Sequence, residues 1–407
     1  MKVSFPKNKI NVLLLEGVHD DAVTAFNNEG YNVVYSPDSL SEDELCEKVK
    51  GVHVIGIRSK TKITKKVVHA ADKLLAVGAF CIGTKQIDLE ACKIKGIAVF
   101  NAPYSNTRSV VELAIGEIIL LMRSTFVRST ELHQGIWKKT AAGSKEVRGK
   151  VLGIIGYGNI GKQLSVLAEA MGMRVIFYDQ LEKLALGNAE KRSSMEAVFN
   201  EADVISLHVD DNPDNKDLIG AAEFAQMKDG VIFINLARGF VVDIAALVEA
   251  QNSGKVAGVA VDVYPTEPKS NDEPFQSDLS GQPNTILTPH IGGSTMEAQK
   301  HIGNFVPSNI ISYINTGSCF DSVNLPPIKV GPQKNAHRFL LIHDNISGVM
   351  AEVTNILAKY NMNITGQSLK TDETVGYLIT DVDQKYDDHI LEELRGVKGK
   401  IKFRLLF

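Results

Sequence analysis

The sequence lacks the features of a membrane, secreted or nucleic-acid-binding protein. None of its apolar runs approaches the roughly 20 residues needed to span a bilayer. Its first residues, MKVSFPKNKINVLLLEG, contain neither the uninterrupted apolar core nor the small-residue cleavage site of a secretory signal. A formal net charge of −4 gives no electrostatic attraction for nucleic acid or anionic lipid. We therefore expect a soluble cytoplasmic protein that binds neither.

Cysteine is also scarce. The four cysteines, Cys46, Cys81, Cys92 and Cys319, are widely spaced and form no C-x-x-C pair. That spacing supports neither a disulfide framework nor a cysteine-ligated zinc site. We expect the thiols to act as small apolar side chains in a reducing compartment, and we expect no metal.

What the sequence does contain is ample apolar chain in a regular pattern. It has 407 residues, of which 44% are hydrophobic, so two or three domains are expected. Over the first hundred residues, strand candidates alternate with helical patterns at 21–29, 42–49 and 64–71. The strand candidates are INVLLLEG, YNVVYS, HVIGIRS, KLLAVGAF and IAVFNAP. This alternation predicts a doubly wound parallel sheet with helices on both faces.

The alternation restarts after a long helix candidate at 110–122. Six further strand candidates follow, namely KVLGIIGYGNIG, MRVIFYD, DVISLHV, GVIFINLA, KVAGVAVDV and TILTP. Six strands separated by helices or turns predict a second doubly wound sheet, of the Rossmann-like dinucleotide-binding type. A second long helix, predicted at 295–315, carries the chain out of this sheet.

The last seventy residues have a different pattern. The stretch DSVNLPPIKVGPQKN, with its Pro-Pro and Gly-Pro pairs, indicates a linker. Strands at 338–343, 364–369, 375–381 and 401–406, with helices at 347–360 and 387–395, then give the order βαββαβ. That order is typical of the ferredoxin-like fold. It contains no acid–base cluster and no phosphate loop, so we interpret it as a binding or regulatory domain.

A glycine-rich turn indicates the cofactor. The motif GYGNIG at 156–161 directly follows an apolar strand and opens a helical pattern. Asp179 ends the next strand, where a carboxylate can accept hydrogen bonds from the adenine-ribose hydroxyls and repel a 2′-phosphate. The glycines allow the pyrophosphate to approach the helix N-terminus closely. The motif in this context predicts NAD rather than NADP.

Three ionisable residues follow successive strands of the same predicted sheet. Arg238 lies in INLARG, Glu267 in DVYPTEP and His290 in TILTPHIGGST. Hydride transfer from a hydroxyl carbon requires a base for the hydroxyl proton, and histidine is suited to that role near neutral pH. A carboxylate beside the imidazole orients it and raises its pKa, while a guanidinium can hold a substrate carboxylate. We therefore predict an oxidoreductase that acts on a hydroxy acid.

These motifs, with NAPYSNTRSVVELAIGEIILL and AAGSKEVRGKVLGIIGYGNIG, resemble the D-isomer-specific 2-hydroxyacid dehydrogenase family over nearly the whole chain. The resemblance implies that Arg238, Glu267 and His290 are the catalytic set. It implies these cofactor contacts, including the motif glycines: Gly156, Gly158, Asn159, Ile160, Gly161, Asp179, Leu236, Ala237, Arg238, Asp262, His290, Ile291, Gly292 and Gly293.

The branch of the family that this chain resembles oxidises 3-phospho-D-glycerate to 3-phosphohydroxypyruvate, the first step of L-serine biosynthesis. Substrate contacts carried over by the resemblance are Arg58, Ser59, Lys60, Asn106 and Lys139. Lys139 matches a cation supplied by a neighbouring subunit, so the resemblance also implies an oligomer, a homotetramer. Relatives of this type also reduce 2-oxoglutarate to 2-hydroxyglutarate, so the resemblance implies this second activity as well.

The C-terminal domain resembles an ACT domain, a small amino-acid-binding module. His343, Asn345 and Asn363 match the family's positions for L-serine, the expected feedback inhibitor. The resemblance implies a substrate-binding domain at 1–105 and 296–325, an NAD-binding domain at 106–295, a linker at 326–336 and an ACT domain at 337–407. In that linker, Gly331-Pro332 predicts a stiffer joint than the family's glycine pair.

Three other functions share features with this sequence. A short-chain dehydrogenase needs Tyr-x-x-x-Lys, and no tyrosine of this sequence has a lysine four residues later. A different D-2-hydroxyacid dehydrogenase shares the catalytic set but ordinarily lacks the basic substrate loop and the C-terminal domain. A non-catalytic NAD-sensing scaffold of the corepressor type can retain the same residues, so turnover of the substrate is the discriminating observation.

Overall fold

The computed structural model describes residues 6–268, 270, 272–333 and 337–406. The chain forms two compact units. One comprises Met1–Ser105 with Gln299–Phe407, and the other comprises Asn106–Ala298.

The first unit begins with a five-stranded parallel sheet. Its strands are β1 (Asn11–Leu14), β2 (Asn32–Tyr35), β3 (Val54–Ile57), β4 (Ala76–Ala79) and β5 (Ala98–Phe100), in the order β2-β1-β3-β4-β5. The helices between them are α1 (Asp20–Asn28), α2 (Glu42–Lys48), α3 (Lys65–Ala70) and α4 (Leu89–Ile94). Ser41 and Glu44 begin α2 with a capping box, as the spacing Ser-x-x-Glu favours. The predicted doubly wound sheet is confirmed, although α4 was not predicted.

The second unit is the dinucleotide-binding fold. Its strands are β6 (Val151–Ile155), β7 (Arg174–Tyr178), β8 (Glu190–Lys191), β9 (Val204–Leu207), β10 (Val231–Asn235), β11 (Val256–Val261) and β12 (Thr285–Leu287). They are all parallel, in the order β12-β11-β10-β9-β6-β7-β8. The strand order reverses between β6 and β9, the point at which such sheets bind ligands beyond the carboxyl ends of their strands.

The helices of this unit are α5 (Thr107–Met122), α6 (Thr125–His133), α7 (Asn159–Ala170), α8 (Met195–Glu201), α9 (Ala221–Gln226) and α10 (Ile244–Asn252). The six predicted strands are present, and β8 is an additional one. With only two residues, both exposed, β8 offers no alternating or apolar pattern for a sequence argument to use.

The chain returns to the first unit through the long helix α11 (Met296–Thr316) and ends in a second sheet. Strands β13 (His337–Asp344), β14 (Ile364–Thr371), β15 (Val375–Val382) and β16 (Lys400–Leu406) pair in the antiparallel order β14-β15-β13-β16. Helices α12 (Val349–Lys359) and α13 (Asp388–Gly396) complete the predicted βαββαβ order. Residues 334–336 of the predicted linker lie outside the described residues.

Helix α11 organises the first unit. Its buried residues Ile302, Val306 and Ile310 share one apolar core with β1, β3 and the C-terminal sheet. At its carboxyl end, Arg338 donates to the carbonyl of Thr316 at 2.9 Å and Arg404 donates to that of Ile314 at 2.8 Å. These bonds satisfy carbonyl groups that a helix terminus otherwise leaves unpaired.

Across the part of the chain that is described, no helix combines the length and apolar character needed to cross a membrane. The same residues contain no group of three or more His, Cys, Asp or Glu arranged to hold a metal ion.

Candidate active site

His290 lies in a tight turn after β12, and Asp262 holds this turn through hydrogen bonds. The His290 backbone has a φ of 53°, in the left-handed region, and its N–H donates to the carbonyl of Thr288 at 3.0 Å. Asp262, directly after β11, accepts from the N–H groups of Ile291 and Gly292, both at 2.8 Å, and from the Thr288 hydroxyl at 2.6 Å. One buried carboxylate thus fixes the whole turn that carries the imidazole.

The glycines of this turn are required by close neighbours. A Cβ on Gly292 would lie 2.9 Å from an Asp262 oxygen, and one on Gly293 would lie 2.1 Å from the Asn106 side-chain nitrogen. Asn106 precedes α5, so the start of that helix lies against the turn. The structure therefore brings Asn106, predicted to bind substrate, next to predicted cofactor residues.

Glu267 is paired with the imidazole. Its carboxylate oxygens lie 2.9 and 3.1 Å from His290 Nδ1, and one of them also accepts from the Tyr264 N–H at 3.1 Å. The hydrogen bond to Glu267 raises the pKa of His290, against the opposing effect of burial. Burial favours a higher pKa for Glu267, but the hydrogen bond and the charge of His290 outweigh burial and lower that pKa. With Nδ1 engaged, Nε2 is the nitrogen left to exchange a proton with a ligand.

Arg238 reaches the same group from the turn after β10. Gly239 makes this approach possible, because a Cβ there would lie 1.9 Å from the Tyr264 carbonyl carbon. The guanidinium donates to the Ala237 carbonyl at 2.7 Å. Its positive charge adds to the lowering of the pKa of Glu267 and partly opposes the rise in the pKa of His290. The second unit thus brings all three predicted catalytic residues together at the carboxyl ends of neighbouring strands.

The glycine-rich turn has the close packing expected of a dinucleotide site. Gly156 has a φ of 92°, and a Cβ there would lie 2.6 Å from the His208 carbonyl. A Cβ on Gly161 would lie 2.5 Å from the Gly156 carbonyl oxygen. Gly158 begins α7 without a side-chain cap, which leaves the first N–H groups of the helix available to an anion. These residues fit the pyrophosphate of NAD.

Asp179 is oriented toward this turn by two backbone groups. Its oxygens accept from the N–H groups of Tyr157 at 2.8 Å and Leu181 at 2.9 Å. The buried Tyr157 ring stacks on Phe177 with centroids 3.7 Å apart. The carboxylate is therefore held rigidly at the end of β7, as ribose recognition requires.

Replacing Asp179 by alanine is expected to weaken NAD binding about 10- to 100-fold, the size of one or two lost hydrogen bonds to a charged group. It should also reduce the preference for NAD over NADP. Titration of both cofactors into the purified protein measures both effects. Asp203→Ala is the matched control, since Asp203 also accepts a backbone N–H, that of Val151 at 2.9 Å. Unchanged affinity and preference in Asp179→Ala would contradict its role.

The other predicted residues occupy more varied positions. Leu236 and Ala237 are buried beside Arg238, whereas Ile291 is exposed. Arg58, Ser59 and Lys60 belong to the first unit, in the loop after β3, and Lys139 is exposed on the segment after α6.

In the C-terminal sheet, His343 is buried, with Nδ1 2.7 Å from the Asp344 carbonyl and Nε2 unpartnered within the described residues. Asn345 donates to the Asp372 carbonyl at 2.7 Å, and Asn363 is exposed. These effector contacts stay predictions.

Several residues of the site were not predicted. Thr288 and Tyr264 support the His290 turn, yet they sit in the quoted motifs without a chemical signal of their own. Glu117 is 2% exposed on α5, and neither of its carboxylate oxygens has a partner in the described chain. The sequence does carry a signal for Glu117, because helical spacing places this charged residue on the same face of α5 as the apolar residues Ala114 and Leu121. Burial, together with the charge of Asp262, raises the pKa of Glu117 to about 8.

Glu117→Leu is expected to stabilise the protein by about 1–3 kcal/mol near pH 8, since it removes an unpaired buried polar group. The folded chain keeps the Glu117 proton up to about pH 8, whereas the unfolded chain releases it near the ordinary pKa of 4.5. The wild type therefore loses stability between these values as pH rises, and the variant lacks that loss. Denaturant unfolding at pH 5 and pH 8 measures the difference.

The control for this prediction is Glu112→Leu on the same helix, where an exposed carboxylate pairs with Arg108 at 2.6 Å. It should not change the pH dependence of stability. An equal stability difference between Glu117→Leu and the wild type at both pH values would contradict the prediction.

Two family models match this chain. The D-isomer specific 2-hydroxyacid dehydrogenase NAD-binding domain matches residues 115–292, which include the whole Arg238–Glu267–His290 group. An ACT domain of the type found in AHAS small subunits matches residues 339–402.

Solved structures share the architecture of most of the chain. D-2-Hydroxyisocaproate dehydrogenase covers 78% of this chain and 100% of its own, with a TM-score of 0.70 and 27% identity. D-Lactate dehydrogenase from Aquifex aeolicus, complexed with NAD and lactic acid, covers the same shares with a TM-score of 0.66 and 26% identity.

Similar sequences extend over the full length. D-3-phosphoglycerate dehydrogenase from Haemophilus influenzae is 49% identical over 407 residues, covering 100% of this chain and 99% of its own. The enzyme of that name from Escherichia coli K12 is 46% identical over 409 residues, covering 100% of both. With the NAD fold and the ACT domain in place, this chain belongs to the D-3-phosphoglycerate dehydrogenases of the D-isomer specific 2-hydroxyacid dehydrogenase family.

Proposed function

We propose that this chain oxidises 3-phospho-D-glycerate to 3-phosphohydroxypyruvate with NAD, the first step of L-serine biosynthesis in the cytoplasm. The observation that carries the proposal is the His290–Glu267 pair, 2.9 Å apart, beside Arg238 at the carboxyl ends of the NAD-fold strands. Full-length relatives bear the name of this activity.

The three side chains have distinct roles in the proposed reaction. Neutral His290 accepts the hydroxyl proton at Nε2, while Glu267 holds the ring and stabilises the imidazolium that forms. Arg238 donates to the substrate carboxylate and to the oxygen that becomes a carbonyl. NAD, when bound, supplies the hydride acceptor. In the reverse direction, the imidazolium of His290 returns its proton to the forming alcohol.

The substrate carries a phosphate, so further cations are needed. We propose Arg58, Ser59 and Lys60 of the first unit, with Asn106, as its contacts. Lys60 supplies charge without the bidentate geometry of arginine. The proposed substrate-binding domain comprises 1–105 and 296–325 and the proposed NAD-binding domain 106–295, followed by the linker at 326–336 and the ACT domain at 337–407.

The test is a steady-state assay of 3-phosphoglycerate oxidation, followed by NADH absorbance. Turnover with NAD supports the proposal. Turnover of other D-2-hydroxy acids alone would favour another dehydrogenase of the family. NAD binding without turnover of any of them would favour a non-catalytic scaffold of the corepressor type. The same assay with 2-oxoglutarate and NADH tests the second predicted activity.

We also propose L-serine as a feedback inhibitor bound by His343, Asn345 and Asn363. The unpartnered Nε2 of the buried His343 supports this proposal, because a buried ring nitrogen ordinarily has a partner. Adding L-serine to the assay should reduce turnover, and His343→Ala should relieve that inhibition while leaving uninhibited turnover intact. Equal inhibition of both proteins would argue against the site.

We propose a homotetramer as the assembled form. Phe126, Leu132, Ile136 and Trp137, on α6 and just after it, are 43–77% exposed apolar residues within a short segment. Such a patch favours coverage by a second copy of the chain, which would also place Lys139 at a neighbouring active site. Light scattering after size-exclusion chromatography tests the assembly, and a monomeric mass would contradict it.

A further inference from the structure

Glu16 has a backbone conformation that its side chain disfavours. It follows β1 with a φ of 63°, in the left-handed region, where the Cβ of an L-residue meets the backbone. Other described non-glycine residues with positive φ include Asn284, Asn361 and Asp217, of types that tolerate it through local hydrogen bonds. Glutamate is not among the types enriched there, and strained positions persist where the surroundings enforce them.

The Glu16 carboxylate holds a loop of the neighbouring strand. Because β1 pairs with β3 in parallel, the ends of the two strands meet at one edge of the sheet. There Glu16 accepts from the backbone N–H of Lys60 at 2.9 Å and from that of Thr61 at 2.7 Å, each with a separate oxygen. Thr61 is fully buried, so the second bond ties the carboxylate to a fixed point of the fold.

The same loop is held from its other end. The Gln86 side-chain amide donates to the Arg58 carbonyl at 2.6 Å. The backbone of residues 58–60 is therefore hydrogen-bonded at both ends, to Gln86 at Arg58 and to Glu16 at Lys60. Arg58 is half-buried, and the Ser59 and Lys60 side chains are exposed. The loop is thus fixed in its backbone while its polar side chains remain available.

The charge of Glu16 has the wrong sign for this location. A carboxylate next to Arg58 and Lys60 partly cancels the positive potential that an anionic substrate needs, and it repels the substrate's own charge. Glycine at this position would remove both the backbone strain and the repulsion. Glycine has no side chain, however, so it could not accept the hydrogen bonds from Lys60 and Thr61.

We propose that Glu16 is a positioning residue for the substrate loop, presenting Arg58, Ser59 and Lys60 to a phosphate- or carboxylate-bearing substrate. This inference rests on the proposed function. It predicts a change in substrate affinity opposite to the change that electrostatics alone predicts. Removing the negative charge should weaken substrate binding, because the loop loses its geometry, although charge alone would make binding tighter.

The experiment compares Glu16→Gly, Glu16→Gln and the wild type as full-length enzymes in the 3-phosphoglycerate assay. Glu16→Gly should raise the KM for 3-phosphoglycerate about 10-fold or more, a loss of about 1.4 kcal/mol per tenfold. Its kcat and its KM for NAD should stay within about 2-fold, which would show that the fold is retained. Glu16→Gln keeps one acceptor oxygen and should give a smaller rise in the KM for 3-phosphoglycerate.

Asp72→Ala is the matched control. Asp72 also accepts a backbone N–H of the first unit, that of Gly51 at 2.7 Å, but at the opposite end of β3 from the substrate loop. Its loss should leave both KM values unchanged. A wild type that turns over 3-phosphoglycerate and a Glu16→Gly variant with equal or lower KM would overturn this inference alone. A wild type without turnover overturns the proposed function, and this inference with it.

Discussion

Replacing His290 by alanine is expected to lower the kcat for hydroxy-acid oxidation by about 10²–10⁴-fold, the usual contribution of a positioned general base. The variant lacks the imidazole, and with it the Nε2 atom that accepts the hydroxyl proton. NADH binding should remain nearly intact, because the predicted contacts to its pyrophosphate and adenine ribose are at Gly156–Gly161 and Asp179. Stopped-flow turnover and a fluorescence titration with NADH measure the two quantities. Near-normal turnover would overturn the assignment of the base.

A second variant, Glu267→Gln, tests the effect of the carboxylate on His290 while the imidazole itself is retained. Glu267 raises the pKa of His290 through a hydrogen bond and its charge. Oxidation needs the neutral imidazole, so the rate falls as pH decreases through this pKa. Without the carboxylate the pKa of His290 drops, and the acid limb of kcat/KM should move to lower pH. An acid limb that does not move would show that another group controls it.

Replacing Arg238 by alanine is expected to lower kcat/KM by about 10²–10⁴-fold, because it removes a bidentate, charge-assisted contact to the substrate carboxylate. Arg238→Lys should retain part of the charge but lose the paired geometry, with a loss of about 10- to 100-fold. The guanidinium also lowers the pKa of His290. The acid limb should therefore move to higher pH in Arg238→Ala, opposite to its movement in Glu267→Gln.

The control for this prediction is Arg174→Ala. Arg174 is on β7 of the same sheet and pairs with Glu190 at 2.9 Å on the surface, where ion pairs contribute little. Its kcat/KM should match the wild type. If Arg238→Lys retained full kcat/KM, a point charge would suffice and the proposed two-pronged contact with the substrate would be wrong.

Much of this architecture was predictable, because repeating apolar strands and their flanking turns have strong local patterns. The six strands of the NAD fold, the βαββαβ order and the placement of Arg238, Glu267 and His290 after β10, β11 and β12 followed from those patterns and from the family resemblance. Parallel strands bring their carboxyl ends to one edge, so the order of motifs along the chain was enough to group them.

What could not be predicted depends on single contacts between distant parts of the chain. The clamp of Asp262 on the His290 turn is made by backbone N–H groups, which carry no sequence signature. The strained Glu16 looks like an ordinary polar residue after a strand, and its partners lie some 45 positions later. Helix α6 escaped prediction because its residues are mostly polar or exposed, without an apolar stripe.

The assembly of the first unit from both ends of the chain has a consequence for its synthesis. Its first five strands leave the ribosome early, but Ile302, Val306 and Ile310, which cover one face of their sheet, follow some two hundred residues later. At about 5–20 residues per second, that delay is on the order of ten to forty seconds. During this interval the nascent sheet exposes an apolar surface, while the second unit, contiguous at 106–298, can already fold. Nascent chains stopped before residue 299 should therefore bind a general chaperone more strongly than chains extended past residue 316.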